Sequence, residues 1–194
     1  MSSRKAILKA IKKNKPELSP LPEMQTFRND TVDKLAYLKE VFKIIGGVVE
    51  EITDTEALPE AIKKAYPDKE NICSNIPGFP LTTVDLSAIE DPHDLKDVDL
   101  VVFNGKFVVA ENGAVWLSER ELIHRAAGFI TQHMALIVNR NDMVWNMHEA
   151  YQKMQLDRPG YGVFVSGPSK TADIEQSLVI GAHGARSMTL YLVG

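Results

Sequence analysis

Apolar residues follow a helical spacing early in the chain and form short continuous runs later. The first helical segment begins after Thr31, a candidate N-cap, and ends at the pair Gly46-Gly47. A second begins after Asp54 and extends to about Ala65, and a third begins at Asp142. The third places methionine and aromatic side chains on one stripe typical of core packing: Val144, Met147, His148, Tyr151 and Met154.

The continuous apolar runs have the length and composition of β-strands. They span 48–52, 71–74, 98–103, 107–110, 114–117, 134–139, 163–165 and 188–193. The dipeptide Asn104-Gly105 predicts a hairpin, and Glu111-Asn112-Gly113 predicts the next turn. Helices interleaved with apolar strands predict an α/β fold, with helices around a mainly parallel sheet and an antiparallel excursion at 98–118.

The N-terminal segment predicts a short basic amphipathic helix at 4–13. Its apolar stripe is Ile7, Leu8 and Ile11, among five lysine and arginine side chains. Prolines at 16, 20 and 22 then predict a linker. We expect the stripe to rest on the domain; docking to a membrane surface or a partner protein is the alternative. The chain accordingly divides into an arm with its linker at 1–22 and a domain at 23–194.

Composition narrows the classes of partner and cofactor. The 22 basic and 26 acidic side chains give a net charge of −4, which offers no electrostatic reason to expect nucleic-acid binding. The single cysteine, Cys73, cannot alone hold an iron–sulfur cluster, and we expect it to be a buried core residue in a reducing cytoplasm. No apolar run approaches the roughly 20 residues that span a bilayer. The five histidines are scattered, so we expect no metal site. The sequence contains no GxGxxG or Walker loop, so we also expect no bound cofactor.

The densest group of chemically active side chains lies at 166–175, Ser-Gly-Pro-Ser-Lys-Thr-Ala-Asp-Ile-Glu, directly after the run 163–165. A strand that leads through such a turn into a helix directs unpaired backbone N–H groups at one point, which suits an anion. We therefore expect a small carboxylate or phosphate ligand. The alternative is a strand-to-helix connection whose small residues only make the turn.

The run 167–184, GPSKTADIEQSLVIGAHG, resembles the signature of the LUD domain, the fold of the lactate-utilisation protein C group. Ala110-Glu111-Asn112-Gly113 resembles the family's Ala-Glu-Thr-Gly turn, and 132–138 resembles its segment of a histidine followed by an apolar strand. Asn112 stands in place of a threonine and Ala185 in place of a proline. The resemblance covers most of the chain from about residue 30 onward.

The resemblance implies the three-layer α/β/α architecture of the NagB/RpiA/CoA-transferase-like proteins. In such open sheets ligands bind outside the carboxyl ends of the strands, so we expect one cleft to gather the two signature turns. The candidate catalytic residues are Glu111, Asp173, Glu175 and His183. The candidate ligand-binding residues are Asn112, Gly113, Gly167, Pro168, Ser169, Lys170, Thr171, Gly181 and Gly184.

The two acidic residues of the signature offer a further expectation. If the segment 176–180 folds back, Asp173 or Glu175 meets His183 and orients its ring. Alternatively, Asp173 caps a helix and His183 bonds a turn carbonyl. Glu111 is likewise either a site carboxylate or the polar edge of a turn.

Two alternative functions are compatible with these residues and with the resemblance. The resemblance implies a subunit of a system that oxidises L-lactate to pyruvate together with iron–sulfur partner proteins. Because one cysteine cannot hold a cluster, this chain's part would be assembly, substrate handling or regulation, with the arm as a candidate for docking those partners. The alternative is a free-standing enzyme or binder of a phosphorylated or CoA-like ligand, as the fold relatives are, although fold analogy licenses no reaction. Whether the chain is an enzyme stays open.

Overall fold

The computed structural model describes residues 3–19, 31–155, 160–171 and 179–194, and its central feature is a parallel sheet of five strands. With strands numbered in chain order, the sheet runs β1 (Val48–Ile52), β11 (Ser187–Val193), β6 (His133–Asn139), β3 (Leu100–Asn104) and β2 (Ile72–Ser74). Every neighbouring pair is parallel. The predicted α/β class with a mainly parallel sheet is confirmed.

A smaller four-stranded sheet contains two antiparallel pairs and one parallel pair. Its order is β7 (Met143–Val144), β4 (Phe107–Val109), β5 (Val115–Ser118) and β8 (Gly162–Val165). β5 pairs antiparallel with both β4 and β8, and the turn at 111–113 joins β4 to β5 as predicted. The antiparallel excursion is therefore a separate sheet, not part of the central one.

The predicted Asn104-Gly105 hairpin is wrong, because β3 and β4 belong to different sheets. The Gly105 N–H donates to the Ile137 carbonyl oxygen in the central sheet. A β-carbon on Gly105 would lie 2.5 Å from Cγ1 of Val115. The glycine is needed because the chain crosses here between two packed sheets, and the dipeptide does not form a hairpin turn.

Short helices connect and cover the strands: α1 (Ser3–Lys13), α2 (Lys34–Ile45), α3 (Leu58–Ala65), α4 (Glu119–Leu122), α5 (Ala127–Ile130) and α6 (Met147–Lys153). The N-cap of α2 is Asp33, not Thr31, and its Oδ1 accepts from the Ala36 N–H at 2.7 Å. Gly46, at φ 82°, ends α2 as predicted. Asp54 caps a 3₁₀ turn ahead of α3, and β7 delays the start of α6 to residue 147.

The apolar side chains form layers on both faces of the central sheet. On one face, α3 packs Leu58 and Ile62 against strand residues such as Leu100 and Tyr191. On the other face, α2 and the smaller sheet share a core, and α6 covers the outer face of the smaller sheet. The smaller sheet is thus held between the central sheet and α6.

The N-terminal helix α1 forms as predicted, but it buries none of its residues. Ile7, Leu8 and Ile11 are 56%, 52% and 53% exposed. The expectation that this stripe rests on the domain is therefore wrong. In the described part of the chain, no helix combines the length and apolar character that crossing a membrane requires.

Candidate functional site

The two segments of the signature, at 166–171 and 179–185, lie against each other. The Ser169 N–H donates to the Ala185 carbonyl oxygen at 2.8 Å, and the Gly181 N–H donates to the Ser169 carbonyl oxygen at 2.9 Å. The strands β9 (Lys170–Thr171) and β10 (Val179–Ile180) form a short antiparallel pair. Residues 170–171 enter this strand pair, and residues 172–178 lie outside the described part of the chain, so a helix after the turn stays a prediction.

Glycines in the signature permit this close approach. A β-carbon on Gly184 would lie 3.0 Å from the Ser169 β-carbon and 3.4 Å from the Phe129 carbonyl oxygen. Gly167, at φ 70°, lies against the end of α2, where a β-carbon would meet the Ile45 carbonyl oxygen at 3.0 Å. Ordinary contacts between carbon atoms are about 3.5–4.0 Å, so a side chain at either position would push elements apart.

Between these segments and α5 lies a cleft of about 370 Å³. Its apolar lining includes Phe164, Met134 and Met188, and its polar lining includes Ser169, Lys170 and His183. Among the described residues, the side chains of these three polar residues have no hydrogen-bond or ion-pair partner. A hydroxyl, an ammonium and an imidazole therefore remain available to a ligand above an apolar floor.

The position of this cleft differs from the expectation for open parallel sheets. Met134 and Met188 lie near the amino ends of β6 and β11, not at their carboxyl ends. The reason is that the signature follows β8, a strand of the smaller sheet. A separate cleft of about 450 Å³, lined by Ser74 and Asn75, lies at the carboxyl end of β2. The described residues that line it include none from the signature.

The turn at 111–113 contacts the loop that follows β8. The Ser166 hydroxyl donates to the Asn112 carbonyl oxygen at 2.6 Å, so the two turns do meet. Asn112 Oδ1 accepts from the Ala114 N–H at 3.0 Å, and buried Gly113 has a φ of 70°. Glu111 is exposed, and its N–H donates to the Trp145 carbonyl oxygen. None of the three turn residues is among the described residues that line the cleft.

The charged side chain of Lys170, in the segment that follows β8, lies near the carboxyl end of α2. Lys170 Nζ lies 4.0 Å from the position of a β-carbon on Gly46, beside the carboxyl end of this helix. A helix carboxyl end carries partial negative charge, which the ammonium offsets. The Ser169 amide, in contrast, is already bonded to Ala185. That amide is therefore not available to an anion, and binding by the other backbone amides of this segment stays a prediction.

Two predicted catalytic residues, Asp173 and Glu175, lie outside the described residues, as do the side chains of 171–178. Their meeting with His183 stays a prediction. His183 itself is exposed at the edge of the cleft. Within the described ranges, no group of three histidine, cysteine or acidic residues could hold a metal ion.

Two pairs of polar side chains elsewhere in the fold contact each other. His133 Nδ1 and the Ser187 hydroxyl are 2.8 Å apart, and the Tyr66 hydroxyl is 2.8 Å from Thr189 Oγ1. Burial, reinforced by nearby cations, lowers the pKa of His133. Burial also raises the pKa of the Cys73 thiol to about 12, which agrees with the predicted core role.

The sequence analysis missed the apolar floor of the cleft. Phe164, Met134 and Met188 were assigned only to strands, and Phe129 was assigned to no element. Strand periodicity does not distinguish a side chain that lines a cleft from one that fills a core. The 45% exposure of Phe129 became visible only in three dimensions.

Comparisons with known proteins bear on the same region. The LUD domain family model matches residues 86–193, which include both signature turns and the cleft floor. Curated relatives include "Lactate utilization protein C" of Oceanobacillus iheyensis, 28% identical over 104 residues, which are 50% of this chain and 45% of the relative. "Lactate utilization protein C 1" of Bacillus mycoides is 33% identical over 101 residues, 49% of this chain and 43% of the relative. The chain spans less than half the length of each of these relatives.

A solved structure shares the fold. The crystal structure of a DUF162 family protein from Deinococcus radiodurans superposes with a TM-score of 0.65 at 20% identity, covering 83% of this chain and 96% of that one. At this identity the likeness concerns the fold alone. The family match extends over more than half of the 194 residues, and it contains the paired signature segments of the cleft. The chain is a member of the LUD domain family.

Proposed function

We propose that this chain is a non-redox component of a lactate-utilisation system and that its cleft binds a small carboxylate. The observation that carries the proposal is the set of three polar groups, on Ser169, Lys170 and His183, gathered by the signature over an apolar floor. The names of the curated relatives supply the metabolic context. A hydroxyl and an ammonium donate to carboxylate oxygens, and methionine side chains suit a short aliphatic body.

In this proposal, other proteins carry out the electron transfer. The chain has a single cysteine, and that thiol is buried with a raised pKa, so it is a poor ligand for a cluster. Iron–sulfur proteins are the partners that the family resemblance implies. Purification of the tagged chain from its native host should therefore recover iron-containing proteins.

The size of the cleft favours a second candidate, a larger phosphorylated or CoA-like ligand. Its volume of about 370 Å³ lies in the range of clefts for drug-sized ligands. A second groove of about 400 Å³ shares Phe129, His183 and Gly184 with it, which gives room beyond that of a three-carbon acid. A ligand extending past His183 would occupy both spaces.

Calorimetric titration of the purified chain separates the candidates. L-lactate, pyruvate, inorganic phosphate and coenzyme A are the probes. Lys170→Gln should weaken binding of the preferred ligand about thirtyfold, because a hydrogen bond to a charged group contributes about 2 kcal/mol. Lys96→Gln, at an exposed lysine outside the cleft, is the matched control.

The outcomes are distinct. Binding of lactate or pyruvate that depends on Lys170 supports the first candidate, and binding of coenzyme A alone supports the second. Equal binding by the Lys170 and Lys96 variants would place the anion elsewhere. Gly167→Val is a poor probe of this cleft, since any side chain there collides with the end of α2.

A further inference from the structure

The N-terminal helix α1 has two opposed faces that the described domain leaves uncovered. At 100° per residue, Ile7, Leu8 and Ile11 fall within an arc of about 100°. Each of the three is more than half exposed. The opposite side carries the lysines at 5, 9, 12 and 13, within a similar arc. A helix of this kind has one apolar face and one cationic face and no core of its own.

Charge is separated strongly between this segment and the rest of the chain. Residues 1–19 contain six basic side chains and one acidic side chain, which leaves 16 basic and 25 acidic side chains in the remainder. The remainder therefore has a formal charge of −9. Among the described residues, no ion pair joins a cation of α1 to that acidic domain. The cations of α1 remain available to an external anion.

We propose that α1 binds the surface of a membrane that contains anionic phospholipids, with Ile7, Leu8 and Ile11 inserted at the level of the headgroups. A bilayer surface offers a plane of negative charge next to an apolar interior, so it matches both faces of the helix at once. Each lysine near such a surface adds attraction, and the effect weakens within a Debye length. The domain, with its negative charge, would be held off the same surface.

Two other binding partners, a second copy of the chain and a groove in another protein, fit this helix less well. Eleven residues are about one and a half heptads, whereas a coiled coil with a second copy needs three or four. Binding in the groove of a protein uses apolar anchors over two turns, at i, i+3, i+4 and i+7. The stripe here supplies large apolar side chains only at 7, 8 and 11. An isolated helix of this length is also marginal in water, so a surface that orders it would raise its helical content.

Vesicle flotation of the full-length chain tests the proposal independently of the cleft. Vesicles of mixed phosphatidylserine and phosphatidylcholine should bind the chain, and phosphatidylcholine alone should not. Lys9→Gln with Lys12→Gln should weaken binding about 25-fold, at about fivefold per lysine. The triple change Ile7→Ser, Leu8→Ser and Ile11→Ser should abolish flotation.

Matched controls test whether the effects belong to α1 or arise from any loss of positive charge or of an exposed apolar side chain. Lys63→Gln with Lys64→Gln, in α3, removes the same charge from the domain. Leu18→Ser removes a fully exposed leucine from the same N-terminal segment but outside the helix. Both controls should float like the parent, and raised salt should release the parent.

Three results would overturn the proposal. The first is equal binding to both kinds of vesicle, and the second is flotation of the triple variant. The third is an absence of binding to the anionic vesicles, and capture of a protein partner that depends on the stripe would then assign α1 to protein docking.

Discussion

Replacing Gly184 with alanine should separate the two signature segments and destabilise the cleft. The new methyl group would lie 3.0 Å from the Ser169 β-carbon, about 0.5–1.0 Å closer than an ordinary carbon contact. Ser169 cannot retreat freely, because its N–H and carbonyl groups are bonded to Ala185 and Gly181 at 2.8 and 2.9 Å. Relief of the contact must therefore weaken hydrogen bonds that hold the segments together.

The magnitude follows from these two contributions. Overpacking costs at least about 1 kcal/mol, and a weakened backbone hydrogen bond adds about 1 kcal/mol. A loss of about 2 kcal/mol in a domain of this size corresponds to a fall in Tm of about 4–8 °C. Thermal unfolding followed by circular dichroism measures it. Ala182→Ser, an exposed change in the same turn, is the control and should leave Tm nearly unchanged.

A double-mutant cycle tests the assigned contact directly. Ser169→Gly removes the β-carbon that the new methyl group meets, so the double variant should be more stable than the sum of the single effects predicts. The expected coupling is about 1 kcal/mol or more. Strictly additive effects, or a Gly184→Ala variant with the Tm of the parent, would refute the packing argument.

Two further predictions concern titratable groups in the core. Burial, together with Lys69 and Arg186, lowers the pKa of His133 in the folded chain below 6.5. As the pH falls through about 6.5, the unfolded chain therefore binds more protons than the folded chain, so acidification should lower the free energy of unfolding. His133→Gln should lose less of this free energy on acidification. Urea titrations at several pH values measure the difference. The buried Cys73 thiol, with a pKa of about 12, should react with a thiol reagent only as fast as the chain opens, and a denaturant should restore ordinary reactivity.

Each of these has a clear contradicting result. An unchanged pH dependence in His133→Gln would show that other groups govern acid stability. Rapid labelling of the folded chain at Cys73 would show that the strand β2 opens readily, contrary to the complete burial of the thiol.

The sequence by itself determined the features that depend on neighbouring residues. Apolar runs marked eight of the described strands within a residue or two, although the two-residue strands β7, β9 and β10 were not predicted. Gly46 marked the end of α2, and the turn at 111–113 marked the β4–β5 hairpin. Local spacing and turn chemistry specify these features, because the interactions that form them span only a few residues. The signature also identified the segments that form the cleft.

The tertiary structure decided which strands share a sheet and where the cleft lies. Asn104-Gly105 has the local chemistry of a hairpin, but pairing of β3 with β6 and β4 with β5 places its two sides in different sheets. Likewise, the direction of β8 brings the signature to the amino ends of β6 and β11. The exposure of the stripe on α1 is another such outcome. Pairing between distant strands and packing of whole faces depend on residues far apart in the chain, so no local pattern of polar and apolar positions encodes them.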